Sequence, residues 1–347
     1  MSTGTPWDFA SRVAGLVAQT YPLAESYHID HLESHLAPVV EHVHALVESE
    51  TGLELAGRPD VLVVDRREWA ARNVASFATL LAPIEERLAE RLGPAGDELS
   101  HLIARRLVAA ETGAVLGVLA RRVLGQYELV VPTGEDADSI AFVGANILQM
   151  ERAHQLDPNE FRTWIALHEA THRAQFVGVP WMRDHFFGLV QTLVSESELD
   201  ESRLSTLIAR VTRARRSGEP LLDDLGIAGL FATAAQRAAI GRVQSMMSLL
   251  EGHGHVVMDR VGARILRSQR RMAGLLKARR ADPRTARFFR LTGLEMKVKQ
   301  YELGERFVLG VERLAGWATL ERAWEGPDAL PTQAEIEEPA QWVRRVA

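Results

Sequence analysis

Thr163 to Phe176 reads TWIALHEATHRAQF, and at its centre His168, Glu169 and His172 stand in the order His-Glu-x-x-His. On an α-helix, residues four apart project from one face about one turn apart, so both imidazoles can direct a ring nitrogen at one ion about 2 Å away. Glu169 is rotated from that face by one residue step, which brings its carboxylate to a metal-held water rather than to the metal. Zinc lowers the pKa of such a water to about 7, and Glu169 would take the proton as the oxygen attacks a carbonyl. The plainer alternative is a pair of histidines on an amphipathic helix.

A catalytic zinc has three protein ligands and one open position. No cysteine occurs in the chain, so any metal is held by His, Asp or Glu, and disulfides, iron-sulfur clusters and cysteine nucleophiles are excluded. The best source of a third ligand is MMSLLEGHGHVVMD, where Glu251, His255 and Asp259 recur every four residues among Met247, Leu250, Val256, Val257 and Met258. Polar groups set among so much apolar surface need partners, and a metal provides one. Glu251 is the preferred ligand, with His255 and then His253 as alternatives. His255 or Asp259 could instead orient His168 or His172 by accepting the other ring N–H, and His253 could stabilise an oxyanion. Gly252 and Gly254 weaken this helix or mark a close approach of the zinc helix. The competing reading is a charged stripe facing water.

These residues need firm elements beneath them. Asp157 can cap the His-Glu-x-x-His helix, Pro158 suits its first position, Glu160 can close a capping box, and Gly178 and Pro180 end it after about five turns. Just upstream, Tyr127–Val131 and Ile140–Val143 are apolar and β-prone, with Pro132, Gly134, Asp136 and Asp138 between them, which predicts a β-hairpin at a sheet edge. Val61 to Val64 reads as a short strand, followed by Asp65 as a helix cap. Residues 7–20, 31–50, 67–92 and 97–124 carry apolar residues at helical spacing. The expected fold is mainly α with a small β-hairpin or sheet: an N-terminal helical region over 1–125 and a catalytic region over 126–347, forming one continuous unit.

The 347 residues are 46% hydrophobic, enough for a substantial core, and the net charge of -6 gives no general attraction to nucleic acid or anionic membrane. MSTGTPWDFASRVAGLV has no basic leader, and no uncharged apolar run reaches about 18 residues, so neither a signal peptide nor a membrane span is expected and the default compartment is the cytoplasm. Residues 195–220 read as an exposed helix and loop. Residues 264–290 are strongly basic, with ten Lys and Arg from Arg264 to Arg290 against Asp282. That segment could bind an anion or RNA, although such arginines usually form a solvated face with ion pairs. His31 and His35 repeat the four-residue spacing without a glutamate beside His31, so the water-activating arrangement is missing. Tyr301 could donate to an oxyanion or be an ordinary half-buried helix tyrosine. Trp342 is expected to pack the proline-punctuated C-terminal tail.

HEATH at 168–172, LLEGHGHVVMD at 249–259, the hairpin ending FVGANI, DRREWAARN at 65–73 and MKVKQYELGERF near the C-terminus together resemble a bacterial zincin-like hydrolase family. One branch of it is associated with biosynthesis of a deazaflavin coenzyme. The resemblance spans most of the chain. It implies a zincin-like metallopeptidase architecture with Zn2+ on His168 and His172, Glu169 as the catalytic carboxylate, and Glu251 as the glutamate of a gluzincin-like site. In better-known gluzincins an aspartate often follows that glutamate by four residues, where this chain has His255. The resemblance also implies that an edge strand before the zinc helix pairs with an extended peptide, a slot the hairpin fills. The function expected is zinc-dependent cleavage of a peptide or amide bond. The alternatives are an inactive zincin-fold binding or scaffold protein, and an anion or nucleic-acid binder acting through 264–290.

Overall fold

The computed structural model describes residues 6–92, 98–129, 138–195, 233–280 and 295–347. Contacts group the chain into two units, Met1–Pro180 with Gly254–Ala278, and Trp181–His253 with Arg279–Ala347.

The first unit opens on α1 (Pro6–Ala18), α2 (Tyr27–Thr51), β1 (Asp60–Val64), α3 (Arg66–Leu92) and α4 (Glu98–Ala120). Small residues set the α1–α4 contact. Ala10, Ala14 and Ala18 are fully buried, and a Cβ at Gly113 or Gly117 would stand 2.3 Å from the Ala10 carbonyl oxygen or 2.6 Å from that of Ala14. The two backbones therefore touch, with Trp69, Val74, Leu116 and Val143 completing this part of the core. Helix α2 buries Leu32, Leu36, Val40, Val43 and Val47 at three- and four-residue spacing and closes on Gly52, whose φ of 68° is the left-handed cap that favours glycine. Asp65 caps α3, accepting the Glu68 amide at 2.7 Å as its sequence position predicts.

Beyond α4 come β2 (Gly125–Glu128), β3 (Ser139–Val143), α5 (Gly144–His154) and α6 (Pro158–Val177). The sheet has the order β1-β3-β2, with β1 parallel and β2 antiparallel to β3. The expected hairpin forms as β2–β3 with β2 at the sheet edge, and β3 is the central strand. Every residue of β3 is buried, because β1, some 80 residues earlier in the chain, pairs with it from Asp60↔Ser139 to Val64↔Val143. Local β-propensity identifies the segments but not this long-range partner. The turn residues Pro132, Gly134 and Asp136 lie outside the described residues.

The second unit contains α7 (Met182–Ser195), the portion of α8 (Ala234–Ile265) up to His253, α10 (Glu295–Ala315), α11 (Trp317–Glu321), α12 (Gln333–Glu337) and α13 (Pro339–Val346). The rest of α8 and most of α9 (Gln269–Arg280) belong to the first. Helices α8 and α10 meet backbone to backbone: a Cβ at Gly304 would lie 1.8 Å from the Ser248 carbonyl oxygen, and one at Gly252 would lie 2.1 Å from the Gly304 carbonyl carbon. Gly252 does mark a close approach, but to α10 rather than to the helix that carries His168 and His172. Trp342 packs the tail as expected, fully buried, edge-on to Phe307 and donating from Nε1 to the Ala329 carbonyl at 2.8 Å. Among the described residues no helix is long and apolar enough to cross a membrane.

Gly304→Ala is expected to lower the unfolding free energy by about 3 kcal/mol, because backbone on both sides of the contact must separate. Gly274→Ala, in α9 where an added methyl meets open space, is expected to raise it by about 0.5–1 kcal/mol. Urea denaturation of the two variants checks the contrast.

Candidate metal centre

Helix α6 is pinned along its length. The Asp157 side chain accepts the Glu160 amide at 3.1 Å, and Pro158 occupies the first helical position. The Glu160 carboxylate does not close a capping box. It accepts instead from the amides of Arg267 and Ser268 at 3.2 and 2.8 Å and from the Ser268 hydroxyl, tying the start of α6 to the turn between α8 and α9 and holding its own pKa below the usual value. Further on, Arg162 forms a buried two-pronged pair with Glu151 of α5, at 2.7 and 3.0 Å. At the far end Gly178 stays right-handed (φ -74°), and glycine is needed because a Cβ would lie 2.9 Å from the Leu53 Cβ.

Arg173, fully buried beside His172, donates to Asp138 at the mouth of β3 and to the Ala56 carbonyl at 2.6 Å. One guanidinium thus fixes α6 to both the sheet and the loop before β1. His44 of α2, half-buried, lies within reach of the Arg173 charge. Burial first and the Arg173 cation second, against opposing pulls from Asp138, Glu48 and Glu41, hold its pKa down to about 4.

On this scaffold the two imidazoles of α6 face each other, with His168 Nε2 and His172 Nε2 3.2 Å apart. Two nitrogens each about 2.0–2.1 Å from one tetrahedral ion stand about 3.3 Å apart, so the spacing is that of two ligands sharing a cation. His172 Nδ1 lies 2.9 Å from the Gln175 amide oxygen. An amide oxygen only accepts, so His172 carries its proton on Nδ1, which would leave the Nε2 lone pair to hold a metal. Gln175, itself fully buried, is a residue the sequence reading did not single out. Its only signal is a position three residues beyond His172 on the same helix.

Helix α8 supplies the third group. Gly254 lies against the ligand rings, its notional Cβ 3.5 Å from His172 Cε1 and 3.8 Å from His168 Nδ1, and the His255 ring lies 5.5 Å from that of His168. Glu251 is one turn back along the same unbroken helix. Its carboxylate and the nitrogens of His168 and His172 offer ligand atoms all within 4.8 Å of one another, a group that can hold a metal ion. With Glu251 only 8% exposed, the donor set is two imidazoles and a buried carboxylate, which suits zinc.

The other residues on α8 have separate surroundings. His253 points about half a turn away, buried between Trp317 and Trp324 with ring centroids 5.6 and 5.1 Å distant. Asp259 accepts from the Gln269 amide at 2.7 Å. Tyr301 is carried by α10, but its side chain lies outside the described residues. In the basic segment Arg264 pairs with Glu50 and Arg271 donates to the His154 carbonyl; residues 281–294 lie outside the described residues.

Glu169 is held by the sheet edge. In the β2–β3 pairing Val143 donates to the Leu124 carbonyl, so the alternation of an antiparallel ladder turns the amide of Tyr127 outward from β3. That outward N–H donates to Glu169 Oε2 at 3.0 Å. Gly125, two residues before, lets the carboxylate in: a Cβ there would stand 2.8 Å from Glu169 Oε1. A 5% exposed carboxylate is thereby fixed against the sheet edge, on a residue between His168 and His172.

The profile of the zincin-like metallopeptidase family matches residues 6–343. The chain belongs to that family. Its fold is also similar to a crystal structure of "a putative hydrolase with a novel fold" from Chloroflexus aurantiacus, at 31% identity over 98% of this chain and 97% of that one, with a TM-score of 0.72. No curated protein matches the sequence. Family and neighbour together support hydrolysis as the class of reaction for this zincin-like chain.

Gln175→Leu is expected to weaken zinc binding about 10–100-fold, as loss of an orienting partner does at other metal sites. Gly125→Ala is expected to leave it within about threefold, because it shifts only Glu169; titration against a chelating chromophore reads both. The His44 environment predicts a pH effect. Between pH 6.5 and about 4 the unfolded chain takes up a proton that folded His44 refuses, so stability is intact above 6.5 and declines as pH falls towards 4. Urea midpoints at pH 7 and 4.5 should differ less in His44→Gln than in the parent.

Proposed function

We propose that the chain is a zinc-dependent hydrolase of peptide or amide bonds, with His168, His172 and Glu251 as zinc ligands and Glu169 as the proton carrier. The observation that carries this reading is the pair of Nε2 atoms 3.2 Å apart, with Glu169, the residue after His168, held by the Tyr127 amide. When bound, zinc supplies Lewis acidity, acidifying water and polarising a carbonyl. The remaining chemistry belongs to the chain.

Glu169 takes a proton from the attacking water on Oε1 or Oε2 and returns it to the departing amine, the two halves of general acid–base catalysis. The Tyr127 N–H serves this role by orienting the carboxylate without neutralising it, and the rigid strand backbone keeps that orientation through turnover. Gln175 keeps His172 in the tautomer that ligates. Tyr301 is retained in this proposal as a donor to the developing oxyanion, and His255, beside His168, as a residue that steadies it.

The test pairs metal content with turnover. Glu169→Gln should retain one zinc per chain and lose about 10²–10⁴-fold in cleavage of a fluorogenic peptide library, whereas His168→Ala should lose the metal as well. A parent chain that binds zinc and cleaves nothing, or a Glu169→Gln variant as fast as the parent, would overturn the proposal.

A further inference from the structure

The third residue on the ligand stripe has no part in holding metal. His168, His172 and Phe176 follow one another at four-residue steps on α6, each step advancing about 6 Å along the axis and drifting about 40° around it. Phe176 therefore follows the second imidazole by one turn. Its ring is stacked on Tyr127, with centroids 6.1 Å apart and planes at 21°. Tyr127 is the residue whose backbone N–H holds Glu169. The same strand position thus touches the proton-carrying carboxylate through its backbone and, through its ring, an aromatic face one turn beyond a metal ligand.

Tyr127 and Phe176 are both half-buried, whereas Phe142 of β3 and Phe161 and Trp164 of α6 are fully buried. Partly exposed aromatic faces beside a few convergent polar groups are what small-ligand and side-chain pockets are lined with.

We propose that Tyr127 and Phe176 form the specificity surface of the metal centre, receiving a flat apolar or aromatic side chain of the substrate next to the bond that is cleaved. This rests on the hydrolase reading above and adds the substrate class to it: peptide or amide substrates bearing an aryl or large apolar group. Stacking of a third ring on such a pair is favourable by an amount that discriminates aryl from methyl about tenfold or more.

The test measures binding, not turnover. Acetohydroxamic acid and 3-phenylpropionohydroxamic acid carry the same metal-binding group and differ in the aryl arm. Calorimetry on the zinc-loaded parent should show the aryl compound binding at least about tenfold more tightly. Phe176→Ala, and the milder Phe176→Leu should the first not fold, should remove most of that gain and leave acetohydroxamate within about twofold of the parent. Equal affinities for the two compounds in the parent, or a variant that weakens both alike, would show the stacked pair to be only a brace between strand and helix. If acetohydroxamate itself fails to bind the zinc-loaded chain, the hydrolase reading falls and the specificity surface falls with it. If acetohydroxamate binds and the aryl arm adds nothing, only the specificity surface falls.

Discussion

Two imidazole nitrogens pointed at each other from a mostly buried helix face are a standing electrostatic demand. At 3.2 Å the two nitrogens share a proton or a cation, in surroundings where water screens poorly. Here the His172 tautomer is set by Gln175, so its Nε2 cannot also carry a proton without charging the ring. Much of the first unit can be understood as the means of holding that geometry. Glu160 on Ser268 and Arg162 on Glu151 fix α6 near its start, and Arg173 on Asp138 and Ala56 near its end. Buried ion pairs of this kind add little net stability against an apolar replacement, since desolvation offsets most of the attraction. Their directional hydrogen bonds give what apolar packing does not, a single rotational and axial setting for the helix.

The sheet is small because little is asked of it. Three short strands present the outward N–H of Tyr127 at the place where Glu169 arrives. The depth of β3 follows from the same need: a strand paired on both sides and buried throughout cannot shift register, so β2 inherits a fixed alternation and the Tyr127 amide a fixed direction. Arg72 on Glu128, with the Ser139 hydroxyl also on that carboxylate, clamps the other end of β2.

What could be read directly from the sequence was what a single helix carries. His168, Glu169 and His172 lie within one turn of one another, so helical periodicity alone sets their relation, and Asp157 and Pro158 announce where that helix begins. Glu251 was legible for the same reason, as a carboxylate on a four-residue stripe of an otherwise apolar helix. Features that depend on two distant segments were not. Nothing local in Asp60–Val64 names β3 as its partner, and Glu160 had a local capping role available that the fold passes over for Ser268. Gly125 and Gly304 are visible only as glycines until the atoms they make room for are in place. His253 shows the limit from the other side: it belongs to the same Glu-Gly-His-Gly-His run as Glu251, yet two residues on a helix is about half a turn, and its ring is buried against tryptophans that lie more than 60 residues onward.

The glycines of that run have separate physical causes. Gly252 is on the side of α8 that meets α10, where the backbones are too close for any side chain. Gly254 is on the side of the ligand rings, where a methyl would make only ordinary contact with His172 and His168. A longer side chain at 254 would have to displace those rings, so the constraint at 254 is on size whereas that at 252 is absolute. Glycine in a helix interior costs about 0.5–1 kcal/mol relative to alanine. Two of them bracketing His253, one residue past Glu251, place that cost where α8 must approach α10 closely on one side and leave room for imidazoles on the other. The helix accepts local weakness at this point because both of its faces are occupied by groups that cannot move.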